Sequence, residues 1–254
     1  MKKMIFVLIA GMAIFTSCDK NDDKKEPAAP VVITATGDIT SKMNEFRVLL
    51  GEPLNTTTGK TSGRREINWD VVPEEFITQN LPKTFFNPTD AAAPVARQRG
   101  FTYESDGEFR VSTNGFGNIE LTLATQIQAF SGDRVFANIS ETLWDTQFQV
   151  AGSTEAATVN GFGAVFLDVD IANSSFLEFF SGNKSLGKFF APVHDANTPF
   201  SFVGVWFKDT EVTKVRVGHG NGKLVSAGKD ISNGGVNDIV ALDDFLYSEP
   251  KASK

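Results

Sequence analysis

The chain has 254 residues, a formal net charge of −7, 41% hydrophobic residues and a single cysteine. That length and apolar content suffice for one large β domain or two small ones, and the acidic balance excludes nucleic acid as a natural partner. One cysteine excludes an intramolecular disulfide, so stability must come from a packed core, with or without a metal.

The chain opens on Lys2 and Lys3, followed by an apolar run from Met4 to Phe15 and small residues up to Cys18. Residues 1–17 read as a secretion leader, too short and wrongly flanked for a stable membrane span. Phe15-Thr16-Ser17-Cys18 resembles a lipobox, which implies acylation of Cys18 and a membrane partner reached through that lipid. The alternative is an ordinary cleaved leader with an incidental cysteine. Asp19–Pro30, DKNDDKKEPAAP, has no apolar period. Residues 18–37 are accordingly expected to be a solvated tether. Asp19 directly after the cysteine resembles an inner-membrane retention signal, whereas the Asp19, Asp22, Asp23 cluster resembles surface-export signals. Surface display at the outer membrane is the favoured expectation.

Residues 40–51 carry the one convincing helical signal, with Thr40 or Ser41 as cap, Met43, Phe46, Leu49 and Leu50 on one face and Gly51 as stop. After residue 63 the chain reads as short β-runs between turn residues, among them Glu66–Asp70, Ile119–Leu123, Phe162–Asp170, Phe200–Phe207 and Ile239–Tyr247. Phe176–Phe190 reads as a hairpin with its tight turn at Ser181-Gly182-Asn183-Lys184. No helical segments separate the strands, so the pattern predicts an all-β, jelly-roll-like sandwich of two sheets with one short N-terminal helix. A single domain is expected over 38–250, with a tail at 251–254. The 23 Phe against 2 Tyr and 3 Trp fit a core better than a broad sugar platform, because Phe has no polar handle.

Several blocks, above all Gly63-Arg-Arg-Glu-Ile-Asn-Trp-Asp70 and Asp243-Asp-Phe-Leu-Tyr-Ser-Glu-Pro250, resemble a family of secreted bacterial proteins without an established activity. The chain's ending more distantly resembles carbohydrate-binding and adhesion jelly rolls. That resemblance implies a structural calcium held by acids of the first and last strands.

Three acidic groups interrupt these strands. Strict alternation puts Asp243 with Ala241 and Phe245 on one face of the last strand and Asp244 with Leu242 and Leu246 on the other. Each carboxylate then needs donors, an arginine or a cation. Asp168 and Asp170 share a face at the end of an apolar strand, and Glu66, Asn68 and Asp70 line a face opposite Ile67 and Trp69. Oxygen-rich clusters suit calcium, and the preferred set combines Glu66 or Asp70 with Asp243 and Asp244. Zinc and copper are not expected with only His194 and His219 on offer. The competing reading makes these acids acceptors at strand ends or partners of Arg64, Arg65 and Arg216. Candidate ligand contacts are Arg64, Arg65, Asn68, Trp206 and His219, although Trp206 also reads as a core aromatic and His219 as a turn residue. No Gly-x-Ser-x-Gly elbow is present. The sequence therefore favours a non-catalytic envelope lipoprotein binding glycan, matrix or a protein partner. A surface hydrolase using paired carboxylates, or a purely structural envelope protein, is the alternative.

Overall fold

The computed structural model describes residues 27–253 other than Ala227, so the leader, Cys18 and the first part of the expected tether, up to residue 26, lie outside the described residues. The elements in chain order are β1 (Val31–Thr36), α1 (Thr40–Leu50), β2 (Arg64–Ile67), β3 (Phe101–Tyr103), β4 (Phe109–Ser112), α2 (Leu123–Gln126), β5 (Val135–Asn138) and β6 (Leu143–Gln149). They continue with β7 (Ala156–Thr158), β8 (Gly161–Leu167), β9 (Phe176–Ser181), β10 (Lys184–Phe190), β11 (Phe200–Trp206), β12 (Lys214–Gly218), β13 (Ala241–Ser248) and β14 (Lys251–Ala252). Two antiparallel sheets form the expected sandwich. One runs β1-β11-β8-β13-β5-β4 with β2 also on β13, and the other runs β10-β9-β12-β6-β7-β14 with β3 on β6.

Sequence boundaries shift at both ends. Val31–Thr36, assigned to the tether, pairs as an edge strand with β11, from Val31 opposite Trp206 to Thr36 opposite Ser201. Lys251 and Ala252, assigned to the tail, pair with β7. Helix α1 matches the periodicity, with Met43, Phe46 and Leu50 buried, but neither Thr40 nor Ser41 caps it: the N-cap position is Ile39, and Asp38 Oδ1 just before it accepts from the Thr40 amide at 3.1 Å. Gly51 ends it at φ 110°, a conformation open to glycine because it has no Cβ. The β9–β10 turn closes through Gly182 and Asn183 as expected, with Ser181 opposite Lys184. Ile119–Leu123 is no strand: its backbone folds into turns and the one-turn helix α2, which buries Leu123.

The core has two layers, and this explains the unbroken apolar runs of β8 and β11. Between the sheets, Trp69 stacks on Phe136 at 3.9 Å among Phe101, Tyr103, Phe109 and Phe245. On the other face of the first sheet, Met43 and Phe46 of α1 join Phe116, Leu123 and Ile127 over Val165, Leu167, Phe202 and Leu246. Gly163 and Gly204, paired in register, leave the floor on which Phe46 sits. A Cβ at Gly204 would lie 2.9 Å from ring atoms of Phe46 and of Phe202, and rigid rings cannot yield that space. Gly204→Ala should therefore destabilise the domain by about 1–3 kcal/mol, measured by denaturant unfolding, the size typical of overpacking.

Strand β13 does not alternate strictly. Leu242 pairs with Phe166 and Phe245 with Ala164, so Asp243 and Asp244 together face the single residue Val165. This β-bulge shifts the side-chain phase by one residue. Leu242, Phe245 and Tyr247 consequently point into the inter-sheet core, while Ala241 and Leu246 pack in the outer layer. The strict face assignment read from the sequence is thus corrected at the aspartates themselves.

Candidate functional site

The central strands of the first sheet end together, with Leu167 opposite both Phe200 and Ala241. The segments leaving these ends carry acids. Asp168 follows β8 at φ 68°, and its amide donates to the Pro199 carbonyl at 2.8 Å. The His194 amide donates to the Val169 carbonyl at 2.9 Å, laying the 191–199 segment beside Asp168 and Asp170. Asp238 lies just before β13, and Asp230 caps a 3-10 turn by accepting from the Ser232 amide at 2.9 Å.

Among the described residues, two groups of metal-capable side chains have their ligand atoms within 4.8 Å of one another: Asp168, Asp170 and His194, and Asp170, Asp230 and Asp238. They share Asp170. His194 Nε2 is 3.0 Å from Asp170 Oδ1 and 3.6 Å from Asp168 Oδ1. A cleft of about 320 Å³ opens beside the first group, lined also by the neutral hydrogen-bonding side chains of Gln126, Gln128, Asn197 and Thr198.

The electrostatics are those of crowded carboxylates. Burial, and then the charges of Asp170 and Asp230, push the Asp168 carboxyl up to about 7. Asp170 is raised by burial and by its hydrogen-bonded neighbour Asp230. Burial also works against ionised Asp230, but amide donors from Ile239 and Ser232 outweigh it and hold that carboxyl low. Burial raises Asp238 even though it accepts from the amides of Asp170 and Ile171 and from Ser174. For His194, burial opposes charging, yet the Asp195 carbonyl and the carboxylates of Asp170 and Asp168 prevail and raise its pKa.

Of the residues singled out from sequence, only Asp168 and Asp170 enter this cluster. The preferred set of Glu66 or Asp70 with Asp243 and Asp244 does not close into a group of three within that distance. Glu66 is held by Arg47 at 3.0 Å and Arg64 at 2.7 Å, with Glu52 on the other side of Arg64. Asp243 Oδ2 accepts from the amides of Phe130 and Ser131 at 2.7 and 3.2 Å. The Ser131 hydroxyl links Asp244 to Asn68 at 2.8 Å on each side. Asp70 leaves the strand, because Trp69–Val71 form a 3-10 turn capped by Asn68, and it accepts from the Asp133 amide at 2.9 Å. These acids serve a bulge and a loop.

The candidate ligand contacts also separate. Arg65 is fully buried on Glu249, and Trp206 is half-buried against the outer layer. His219 is fully buried, with Nδ1 2.8 Å from the Val240 carbonyl, and burial brings its pKa down to about 4. It lies inside the protein, out of a ligand's reach. His194, Asp230 and Asp238 were not picked out, since strand alternation says nothing about residues on the connecting segments. The one available signal was the position of Asp238 just before the apolar strand β13.

Comparison of the chain with protein-family models, with curated proteins and with solved structures finds no match.

Proposed function

We propose that this chain is a lipid-anchored envelope protein whose sandwich binds an extracellular glycan, matrix component or protein partner without chemistry of its own. In this reading calcium on Asp170, Asp230 and Asp238 stiffens the end of the sandwich that meets the ligand. The lipobox-like leader supports the address. The convergence of three carboxylates from two connections, Asp170 after β8 and Asp230 with Asp238 between β12 and β13, carries the rest, since an all-oxygen, anionic donor set suits a hard cation. Two of the three, Asp230 and Asp238, are fully buried. The adjoining cleft offers amides and hydroxyls suited to a polyhydroxylated ligand.

The test is thermal unfolding of the full chain with calcium and with chelator. A ligand at a hundredfold its Kd stabilises the folded state by about 2.7 kcal/mol, a shift of several degrees. Calcium should raise the Tm of the wild type and leave that of Asp238→Asn unchanged. Polysaccharide and matrix pull-downs should lose their captured ligand in chelator. Identical melts with and without calcium would remove the cation from this reading, and failure of every ligand would remove the binding role.

A further inference from the structure

We infer that Asp168, Asp170 and His194 form a second cation site, one that takes a zinc-class divalent ion in preference to calcium and leaves a coordination position open to the cleft. The inference goes beyond the calcium reading, with which it shares only Asp170.

The first observation is the tautomer that the protein imposes on His194. Its Nδ1 lies 2.5 Å from the backbone carbonyl of Asp195. A carbonyl only accepts, so Nδ1 carries the proton and donates. In the neutral ring Nε2 is then a bare lone pair, and it points at two carboxylate oxygens, 3.0 Å away on Asp170 and 3.6 Å away on Asp168. Three electron-rich atoms face each other, and only a proton or a cation between them makes that arrangement favourable. An Nδ1–H tied to a backbone carbonyl with Nε2 turned inward is also how proteins orient metal-binding imidazoles.

A second, independent observation comes from Asp168. Its side chain is 6% exposed, and its Oδ2 has no hydrogen-bond partner. Buried carboxylate oxygens in native proteins are normally satisfied. An orphaned oxygen on a nearly sealed carboxylate, beside an oriented imidazole, points to a missing positive charge.

The donor set then selects the ion. Calcium prefers oxygen alone, whereas imidazole with carboxylates suits zinc and its first-row neighbours. A tetrahedral ion with bonds of about 2.0–2.2 Å holds its ligand atoms about 3.3–3.6 Å apart. The Nε2–oxygen separations of 3.0 and 3.6 Å span that spacing. Three protein ligands leave the fourth position to water or to an oxygen of whatever occupies the cleft.

The experiment uses the purified full chain freed of metal by chelation, with Zn²⁺ alone as probe, followed by NMR of the two histidine rings. Zinc should shift the His194 ring resonances at one equivalent and leave those of buried His219 in place. The ring signals also separate this site from zinc held by the Cys18 thiol. Calorimetry should give one zinc per chain at this site, with Kd raised at least tenfold in His194→Gln. Calcium stabilisation should persist in that variant. If zinc leaves the His194 ring signals unmoved, or binds His194→Gln as tightly as the wild type, the inference is overturned while the calcium reading stands. If calcium binding fails and zinc moves His194, the calcium reading falls alone.

Discussion

Replacing Arg65 with methionine is expected to cost about 3–5 kcal/mol of stability, the typical penalty for stranding one member of a buried ion pair. Both side chains are sealed from solvent, at 0% and 1% exposure for Arg65 and Glu249. The guanidinium grips the carboxylate twice, through Nε at 2.8 Å and Nη2 at 2.7 Å. Asn55 Nδ2 donates to the same carboxylate at 2.8 Å, and Arg65 Nη2 also donates to the Thr57 carbonyl at 2.8 Å. The pair therefore pins the 55–57 loop and the end of β13 to β2. Methionine would leave Glu249 charged in a dry site with one amide donor, and the melting temperature should fall by roughly 10 °C. Adding Glu249→Leu to that variant should recover most of the loss, because an apolar pair of similar volume is often neutral. A single variant melting within a degree or two of the wild type would show that the pair is not sealed as described.

The second large effect is a pH dependence centred on the β13 bulge. Burial, and then the Asp244 charge, push the Asp243 carboxyl up to about 8, far above its ordinary 3.8. Burial pushes Asp244 up to about 6. A carboxyl raised in the folded state is protonated there while the unfolded chain has already ionised. Its contribution to stability is full below about pH 4 and is lost as the pH climbs toward 8. Asp243→Asn keeps an oxygen to accept from the amides of Phe130 and Ser131, which Asp243 Oδ2 serves now. It removes the titration, so the variant should match the wild type near pH 4 and exceed it by a few kcal/mol at pH 8. Denaturant unfolding at the two pH values reads the difference directly. Parallel stability profiles for the two proteins would refute the assignment.

The fold was readable where periodicity and punctuation agree. Helix α1 shows its apolar stripe and its glycine stop, and the Gly182–Asn183 turn announces the β9–β10 hairpin. The two most distinctive strings in the sequence are partners in space: β2 from GRREINWD lies in register along β13 from DDFLYSEP, with Tyr247 opposite Arg65. The bulge at Asp243 and Asp244 was not readable, because alternation assumes an unbroken pleat and one inserted residue reverses every face after it. Strand β1 hid behind the charged tether, being an edge strand whose Val31 and Val32 remain 40% and 43% exposed. The candidate site was half legible. Asp168 and Asp170 were expected on one strand face, but β8 ends at Leu167 and Asp168 turns at φ 68°, so their nearness comes from the connection rather than from alternation. Asp230, Asp238 and His194 likewise reach them only through the long connections that the sandwich folds back over its end.

The position of β13 has a consequence for how the chain matures. This strand follows every other member of its sheet in sequence, yet it lies between β8 on one side and β5 and β2 on the other. A growing polypeptide that has not yet supplied residues 241–248 can form β1-β11-β8 and β5-β4 only as two unjoined fragments, each with a raw, unpaired flank. Closure of this sheet is consequently a late event, completed by insertion of a final wedge, whereas the second sheet needs only β14 from beyond that point.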